Sequence, residues 1–449
     1  MVLTRTNIHI VGLTQTNDLV GAALQAVQQA DAIIGSERHL EIVTPHLPTK
    51  ADNAKEIKPS LNKLPKLAEL KPLIDELSLS ASSNKLNNQS QSIVVLASGD
   101  PLYYGIGHWF SKHFASKHLT FYPAISSIQM ACHRLTISLQ DVTVLSLHGR
   151  PLVILRTKLK NAAKLLILTD KHSSPHALAS ECRAAGFEQS KITVLENLSY
   201  PHERIRMFSV EQLLAETHSF DPLHISLIDV KGVSGNDGFD VDVDRVLPEF
   251  PGIPDAAYVT GAEAGKGMIT KREVRLCILS LLQPTNQDVI WDIGAGCGGV
   301  AIELAHWNDK TTVYAIECHA ERLEHLSANQ QRFGVVQNLH IISGRAPDCL
   351  VDLPRPNKIF IGGSGGNMAT LLDTAWSLLP KGGLLIASAV LENTKQTLNK
   401  FAQTVAAINS QVMEEIEVVE VSVKRGQFTN AGLDYTPKLP VEVFKFKKV

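Results

Sequence analysis

The sequence predicts an α/β protein made of two successive α/β units. Short apolar strands alternate with helical runs along the 449 residues, which is the pattern of sheets covered by helices. Residues 231–254 lack periodicity and carry Gly, Asp and Pro, so they predict a linker between the units. A glycine-rich run at 291–299 (WDIGAGCGG) follows an apolar strand and opens a helix, which indicates a ligand-binding turn.

The first half is predicted to hold short apolar strands with helices between them. The strands are 7–13, 31–36, 92–98, 119–124, 141–147, 164–170, 191–198 and 224–230. Helices are predicted over 17–30, where Asn and Asp provide a cap, over 126–135, and over 174–186, which ends on Gly186. Residues 77–92 are polar and rich in Asn and Ser, so they predict an exposed loop.

The second half repeats strand–helix units from about Asp255. Its strands are predicted at 288–291, 311–317, 338–344, 357–363 and 383–390. Two final strands, 414–423 and 441–448, leave no room for a long helix between them. The last strand is therefore expected to insert antiparallel at or near a sheet edge.

Composition excludes several classes of protein. The hydrophobic fraction of 44% supports large cores, and the formal net charge of −2 argues against a protein that coats nucleic acid. Six scattered cysteines without a C-x-x-C pair are neither a zinc pattern nor a disulfide framework. The N-terminus resembles no signal peptide, and no apolar stretch approaches roughly 20 residues, so we expect a cytoplasmic protein without membrane spans.

The glycine-rich run predicts a nucleoside-containing cofactor in the second half. Gly294, Gly296 and Gly298 let the backbone turn sharply and approach a ligand, and the following helix offers free N–H groups. Glu317 ends the next strand, 19 residues beyond Gly298. A carboxylate at that place can accept both ribose hydroxyls of a nucleoside cofactor.

Two cofactors fit this run. Read as G-x-G-x-x-G through Gly294, Gly296 and Gly299, it permits a nicotinamide dehydrogenase. Asp292 favours the alternative, because D-x-G-x-G-x-G resembles the first motif of Rossmann-like S-adenosylmethionine (SAM) methyltransferases. The two terminal strands also fit a seven-stranded methyltransferase sheet better than a dehydrogenase sheet.

Further motifs in the second half narrow the family. IPDAAYVTGAEAGKGMITKREVR (253–275), GRAPDCL (344–350), IFIGGSGGN (359–367) and LLPKGGLLIASAV (378–390) resemble the small methyltransferase domain of cobalamin biosynthesis. That domain methylates and decarboxylates a precorrin. The resemblance covers nearly all of 250–449.

The first half resembles a different family of the same pathway. VVLASGDPLYYGIG (94–107), PAISSIQMACHRL (123–135), LSLHGR (145–150), ILTDKHSSP (167–175) and VLENLSYPHERI (194–205) are similar to tetrapyrrole methylases. A fusion of the two resembles the decarboxylating precorrin-6Y methyltransferases, which methylate carbons 5 and 15 and decarboxylate the ring C acetate. It implies a two-lobed tetrapyrrole methylase fold followed by a seven-stranded Rossmann-like SAM methyltransferase fold.

The resemblance also implies domain bounds and one SAM in each domain. The domains are 1–235 (lobes about 1–122 and 123–235) and 253–449, joined by a linker at 236–252. Cofactor contacts are expected in the first domain from Gly99, Asp100, Pro101, Ser126 and Ser127. In the second they are expected from Thr270, Asp292, Gly294, Gly296, Gly298, Glu317, Ala346 and Gly362. Asp292 contacts the methionine amine, directly or through water, or only braces the loop.

Basic side chains are expected around each pocket, because precorrins carry several carboxylates. The candidates are Arg134 and Arg150 in the first domain and Lys266, Lys271, Arg272 and Arg275 in the second. The methyl group of SAM is already activated, so catalysis requires positioning, no metal is expected and no catalytic residue is assigned. Ser364 is one catalytic candidate. His148 is a proton shuttle or a strand-end histidine that bonds to the backbone.

Two other functions remain open at this point. An RNA methyltransferase is the main alternative, since both halves have relatives that modify RNA, and a nicotinamide oxidoreductase is the other. The predicted isoelectric point of about 6.8 and the GGSGG and SLHGR contexts favour a small-molecule precorrin substrate without nucleic acid. Because the family of the second domain tends to assemble, we expect a homo-oligomer.

Overall fold

The computed structural model describes residues 6–14, 19–48, 59–80, 90–232, 248–263, 267–408, 415–430 and 432–449. Its strands form three large sheets and one hairpin, and helices cover the sheets, so the predicted α/β class is confirmed. Within this part of the chain, no helix is both long enough and apolar enough to span a bilayer.

The first sheet is parallel and five-stranded. Its strands are β1 (Thr6–Leu13), β2 (Ala32–Gly35), β3 (Ser60–Lys63), β4 (Gln91–Ser98) and β5 (Leu119–Tyr122), and its helices are α1 (Gly21–Gln28), α2 (Glu37–Val43), α3 (Leu67–Ser80) and α4 (Gly107–His113). The strand order is β3-β2-β4-β1-β5. Central β4 is buried on both faces, because Val95 packs in the cluster of Phe110 while Val94 packs in that of Val27.

The second sheet is mixed and follows directly. It contains β6 (Thr143–Ser146), β7 (Lys164–Leu168), β8 (Lys191–Glu196), β9 (Arg204–Ser209) and β10 (His224–Asp229), with helices α5 (Ser127–Leu135), α6 (Pro175–Ala184) and α7 (Val210–Ala215). The order is β6-β7-β10-β8-β9. Only β6 and β7 pair in parallel.

The third sheet has seven strands and carries the glycine-rich run. Its first six strands are β11 (Val289–Ile293), β12 (Thr312–Glu317), β13 (Leu339–Ser343), β14 (Lys358–Ile361), β15 (Leu384–Ala389) and β16 (Ile416–Val421). A hairpin of β17 (Lys424–Thr429) and β18 (Gly432–Pro437) leads into β19 (Val441–Lys447). The helices are α8 (Arg272–Leu282), α9 (Gly299–Trp307), α10 (Ala320–Arg332), α11 (Met368–Leu378) and α12 (Glu392–Ile408).

The last strand lies where the sequence predicted it. The order of the third sheet is β13-β12-β11-β14-β15-β19-β16, so β19 inserts next to the edge strand. It pairs antiparallel with both β15 and β16, whereas β11 to β15 are parallel. The predicted antiparallel insertion is therefore confirmed.

Several local predictions need correction. Helix α1 begins at Gly21, and its capping position is Val20 without a side-chain bond, so the predicted Asn/Asp cap is wrong. The predicted loop at 77–92 overlaps α3, which runs to Ser80, and β4, which begins at Gln91; residues 81–89 lie outside the described residues. Strand β11 continues through Asp292 to Ile293. Residues 236–247 of the predicted linker also lie outside the described part.

The second and third sheets belong to units that touch. Arg156 donates hydrogen bonds to the backbone oxygens of Gln331 and Arg332 at 3.3 and 3.4 Å. Lys158 pairs with Asp309 at 2.7 Å. The two predicted domains therefore share polar contacts away from the carboxyl ends of β11 and β12.

Candidate functional site

The glycine-rich turn lies at the carboxyl ends of β11, β12 and β14. Because parallel strands end at one edge of a sheet, the turns that follow them are neighbours. The backbone N–H groups of Gly294 and Ala295 both donate to the oxygen of Ile316, at 2.9 and 3.0 Å. The N–H of Gly362 donates to the oxygen of Ile293 at 2.9 Å. Three turns are thus tied together by backbone bonds.

The glycines of this turn are required by their conformation and by close neighbours. Gly294 has φ +73°, and a Cβ atom there would lie 2.6–2.9 Å from the backbone of Gly363. Gly296 has φ +60°, and its Cβ would lie 2.6 Å from the oxygen of Met268. Gly298 (φ +91°) caps α9 and faces the side chain of Leu326, so it shapes the turn from below.

Glu317 joins the end of β12 to the glycine turn. Its carboxylate is 3% exposed and accepts three backbone N–H groups. Oε2 accepts from Gly296 at 2.9 Å, while Oε1 accepts from Cys318 at 2.8 Å and from His319 at 3.0 Å. A carboxylate has about four acceptor positions, so one remains on Oε2, and Arg322 Nη1 lies 4.0 Å from that oxygen. In this conformation Glu317 has room for one ribose hydroxyl, whereas the sequence suggested two.

Asp292 lies beneath the turn and is 1% exposed. Its Oδ2 accepts the N–H of Ala301 in α9 at 2.9 Å, and its Oδ1 has no partner among the described residues. Burial raises the pKa of this carboxyl to about 7, and the charge of Glu317 adds to the effect. The sequence left open whether Asp292 contacts the methionine amine directly, contacts it through water, or only braces the loop. The bond to Ala301 favours the last of these roles.

A cavity of about 580 Å³ opens above these turns. The predicted residues that line it are Thr270, Lys271, Gly294, Gly296, Glu317, Ala346, Gly362 and Ser364. Neither Asp292 nor Gly298 is among the described residues of its wall. The small residues of the wall leave space for a flat ligand, and Ser364 is the hydroxyl that the GGSGG turn contributes.

Arg275 does not lie at the mouth of this cavity, so the expectation that it binds substrate is wrong. Its side chain is 0% exposed and pairs with Glu303 at 2.6 Å and with Asp255 at 3.1 Å. It also donates to the backbone oxygens of Thr270 and Ile253. Because four of its five N–H donors bond to groups inside the protein, Arg275 is a structural residue.

The other basic candidates of the second domain have different positions. Lys271 lines the cavity, and burial lowers its pKa. Arg272 is exposed beside Glu273 and is not among the described residues of the wall, and Lys266 lies outside the described part of the chain. Two further arginines, Arg322 and Arg345, line the cavity and were not predicted from the sequence. Arg345 stands in the quoted GRAPDCL motif, which could have identified it.

A second cavity, of about 470 Å³, lies between the first and second sheets. Gly99 lines it directly after β4, with φ +62°, and a Cβ there would lie 2.8 Å from the Cα of Ser126. The Gly99 N–H donates to the oxygen of Leu13 at 2.9 Å, and its oxygen accepts from Ala124 at 3.3 Å. The ends of β1, β4 and β5 therefore meet at this turn.

The remaining predicted cofactor residues of the first domain divide into two groups. Ser126 and Ser127 line the cavity at the start of α5, where Ser126 and Gln129 form a capping box. Asp100 and Pro101 are not among the described lining residues. Instead, Asp100 Oδ1 accepts the N–H of Leu102 at 2.8 Å, so it holds the turn that positions Gly99.

His148 is exposed and lines the cavity, as do Tyr103 and Tyr104. Arg134 forms an ion pair with Glu203 at 2.6 Å and does not reach the wall, and exposed Arg150 is also absent from the described wall. The structure therefore brings neither predicted arginine of this domain to the cavity.

The cavity wall also carries a group of four polar side chains that was not predicted from the sequence. Arg38, His39, Ser98 and Tyr200 line the cavity and are joined by hydrogen bonds. Helix α2, which supplies the first two residues, was not predicted. Ser98 directly precedes the Gly-Asp-Pro turn, and that position was the available signal.

Comparison with known families places both halves of the chain. Residues 262–448 match the family described as precorrin methyltransferase domain. Residues 8–214 match the family described as tetrapyrrole (corrin/porphyrin) methylases.

Relatives match both parts of the chain. A Sinorhizobium sp protein named precorrin-6Y C(5,15)-methyltransferase [decarboxylating] is 34% identical over 377 residues, which is 84% of this chain and 82% of that protein. A Saccharolobus solfataricus protein named probable cobalt-precorrin-6B C(15)-methyltransferase (decarboxylating) is 27% identical over 44% of this chain and 96% of its own length. A crystal structure of a Geobacter metallireducens precorrin-6y C5,15-methyltransferase is 30% identical, covering 44% of this chain and 98% of that chain with a TM-score of 0.40.

Proposed function

The chain belongs to the family of decarboxylating precorrin-6Y C(5,15)-methyltransferases, and on that premise we propose that each of its two domains holds its own SAM. It combines a two-lobed tetrapyrrole methylase fold with a seven-stranded Rossmann-like SAM methyltransferase fold. The protein is thus a SAM-dependent C-methyltransferase of cobalamin biosynthesis. The observation that carries the two-site proposal is the pair of separate cavities, each bordered by a glycine turn with positive φ.

We propose the domain bounds that follow from this division. The first domain spans 1–235, with lobes of about 1–122 and 123–235, and the second spans 253–449 after a linker at 236–252. The sheets support this, because β1–β5 and β6–β10 form separate sheets before residue 230 and β11–β19 come after residue 288. The family matches at 8–214 and 262–448 fall within the proposed bounds.

We propose that the second-domain cavity holds a SAM molecule. Glu317 retains an acceptor position for a ribose hydroxyl, and Gly294 and Gly296 keep side chains out of the turn. Ala346 and Gly362 add small residues to the same wall, and Thr270 adds a hydroxyl. When bound, SAM supplies a methyl group already activated by its sulfonium. The chain's task is then to orient the acceptor carbon and to exclude water.

We propose that the second domain methylates carbon 15 and decarboxylates the ring C acetate. Lys271, Arg322 and Arg345 provide cations on the cavity wall for the carboxylates of the macrocycle. The electron pair left by the departing carbon dioxide enters the conjugated ring, so the protein needs only to hold that arm and the ring in place. Ser364 is the proposed hydroxyl contact of the GGSGG turn.

We propose that the first domain methylates carbon 5. Gly99, Ser126 and Ser127 border the cavity and would hold SAM, with Asp100 and Pro101 fixing the shape of the turn. Tyr103 and Tyr104 offer aromatic faces to the macrocycle, and exposed His148 stands at the rim as a proton acceptor. The methyl transfer releases one proton, which His148 or solvent can take up.

We also propose the partners, the assembly and the location of the protein. The substrate is a small polyanionic tetrapyrrole, and we propose no nucleic-acid partner, a homo-oligomeric assembly and a cytoplasmic location. The near-neutral net charge of −2 supports a small-molecule substrate over RNA. Binding of RNA would fall steeply with salt, whereas a small macrocycle would respond weakly.

Mass spectrometry of the reaction product tests the activity directly. The purified chain is incubated with precorrin-6Y and SAM, and the product is expected to gain two methyl groups and lose one carbon dioxide. SAM carrying a ¹³C methyl lets NMR distinguish the two added methyl groups. A macrocycle recovered unchanged, together with methyl transfer to RNA, would replace the proposal by the RNA methyltransferase alternative.

A further inference from the structure

Four side chains form a hydrogen-bonded group on the wall of the first-domain cavity, here called the Arg38 cluster: Arg38, His39, Ser98 and Tyr200. Arg38 and His39 lie in α2, and Ser98 is the last residue of β4. Tyr200 belongs to the second lobe and follows β8. The cluster therefore spans the cleft between the lobes. Its member Ser98 directly precedes Gly99 of the proposed cofactor turn.

The distances in the cluster are those of well-formed hydrogen bonds. Arg38 Nη1 donates to Tyr200 Oη at 2.7 Å, and Arg38 Nη2 donates to Ser98 Oγ at 2.9 Å. His39 Nε2 lies 2.9 Å from the same Ser98 oxygen. The guanidinium is therefore fixed from both lobes. Arg38 Nη2 also lies 3.4 Å from His39 Nε2, and the N–H groups of Arg38 that face none of these three side chains are available for a ligand.

The protons of the cluster can be assigned from burial. His39 Nδ1 is buried without a partner among the described residues. A buried unpaired N–H is rarer than an unpaired acceptor, and the contact of Nε2 with Arg38 Nη2 (3.4 Å) is much longer than its contact with Ser98 Oγ (2.9 Å). We therefore place the proton on Nε2, which then donates to Ser98 Oγ. Burial and the Arg38 charge lower the pKa of His39 to about 4, so the ring is neutral at pH 7. Ser98 Oγ then accepts two hydrogen bonds, and its own O–H is left to point into the cavity.

The charge of Arg38 has no counterion in the described part of the chain. No carboxylate there lies within 4.0 Å of its guanidinium, although Arg134 in the same domain has Glu203. The described lining residues of this cavity contain no Asp or Glu. The other titratable groups on the wall are histidines and tyrosines, which carry no negative charge at pH 7.

We propose that Arg38 and Ser98 form a carboxylate-binding subsite of the first domain, with His39 positioning Ser98 and Tyr200 holding Arg38 across the cleft. The inference rests on the proposed function. The ligand of the subsite is a carboxylate, and two molecules can supply it: SAM, through its methionine part, or the macrocycle, through an acidic arm. A guanidinium N–H and a neighbouring hydroxyl can each donate one hydrogen bond to a carboxylate, and the positive charge strengthens the first of these bonds.

Steady-state kinetics of carbon 5 methylation by the full chain test this subsite. In Arg38→Gln and Ser98→Ala, KM for one ligand should rise, roughly tenfold to a hundredfold for the arginine and less for the serine. A rise in KM for SAM identifies the cofactor as the source, and a rise for precorrin-6Y identifies the macrocycle. Arg38→Lys, which keeps the charge, should recover part of the loss.

Two controls separate binding from folding. Carbon 15 methylation occurs in the other domain of the same molecule and should keep the wild-type KM. Arg183→Gln changes an exposed arginine of the same domain, in α6, and should leave both methylations unchanged. A wild-type chain that fails to methylate carbon 5 would disprove the proposed function itself. Variants that methylate carbon 5 with the wild-type KM would instead disprove only the subsite.

His39 requires its own test, because it acts through Ser98. His39→Ala should raise the same KM as Ser98→Ala, whereas His39→Gln, which can keep an N–H donor near the Nε2 position, should recover it. Unchanged KM values for both ligands in Arg38→Gln would overturn the subsite. Equal losses in His39→Ala and His39→Gln would overturn the positioning role.

Discussion

Glu317 Oε2 accepts the backbone N–H of Gly296 at 2.9 Å, which fixes the glycine turn to the end of the neighbouring strand. The same carboxylate holds the N–H groups of Cys318 and His319. One side chain therefore sets the path of two turns while retaining an acceptor position at the cavity. The geometry of the second-domain site therefore depends on this buried acid, together with Asp292, which braces the same loop through Ala301.

Replacing Glu317 by Gln should weaken SAM binding in the second domain only. The amide has one acceptor oxygen in place of two and loses the charge that strengthens these bonds, which corresponds to roughly tenfold to a hundredfold weaker binding. Carbon 15 methylation and decarboxylation should fall together, and ¹³C-methyl NMR should show carbon 5 methylation retained. Glu321→Gln, at a side chain 81% exposed, is the matched control. Equal loss at both carbons would contradict the assignment.

Gly294→Ala and Gly382→Ala separate backbone strain from steric contact. Both glycines have positive φ, +73° and +83°, so each alanine costs about 1–2 kcal/mol of stability. Only Gly294 has backbone atoms within 3 Å of the added Cβ, whereas Gly382 has nothing within 4 Å. Titration calorimetry should show loss of second-domain SAM binding in Gly294→Ala alone. Normal binding in that variant would show that the turn can relax.

Arg275→Met should destabilise the second domain by about 3–5 kcal/mol. The change leaves the buried carboxylates of Glu303 and Asp255 without their cation. Arg272→Met removes an exposed charge of the same helix and should change stability by no more than about 0.5 kcal/mol. Urea unfolding of both variants provides the comparison. A normal midpoint for Arg275→Met would contradict the structural role of this residue.

Asp292→Asn should alter the pH dependence of stability. The pKa of Asp292 is raised to about 7 in the folded state, so between about pH 4 and 7 the folded chain keeps a proton that the unfolded chain loses. The wild type therefore loses stability as pH rises through this window, by about 2–3 kcal/mol from pH 5 to pH 8. Relative to wild type, the variant should gain that amount in urea unfolding over the same interval. A pH-independent difference would contradict the raised pKa.

Elements with strong apolar patterns could be predicted from the sequence. The buried strands β4, β11 and β12 are short continuous apolar runs, and the glycine turn follows β11 as expected. Helix α3 was missed because Pro72 lies inside it. The β17–β18 hairpin was missed because its residues are exposed on both faces and show no alternation.

The candidate sites could be predicted only in part. Arg275 stands three residues before Ile278 and seven before Leu282, on the buried face of α8, and that spacing could have indicated its burial. Arg38 gives no such signal, because its importance arises from Ser98 and Tyr200, which are 60 and 162 residues away in the sequence. Contacts between distant segments depend on tertiary structure, and no local pattern encodes them.

The central claim is that the two domains bind SAM independently, and the stoichiometry of binding tests it most directly. Equilibrium dialysis should give two equivalents of SAM per wild-type chain. Gly99→Ala, which brings a Cβ to 2.8 Å from Ser126, should abolish SAM binding in the first domain, leaving one equivalent and carbon 15 methylation. Gly294→Ala should abolish SAM binding in the second domain, leaving one equivalent and carbon 5 methylation. One equivalent in the wild type, or the loss of both in either variant, would contradict the account.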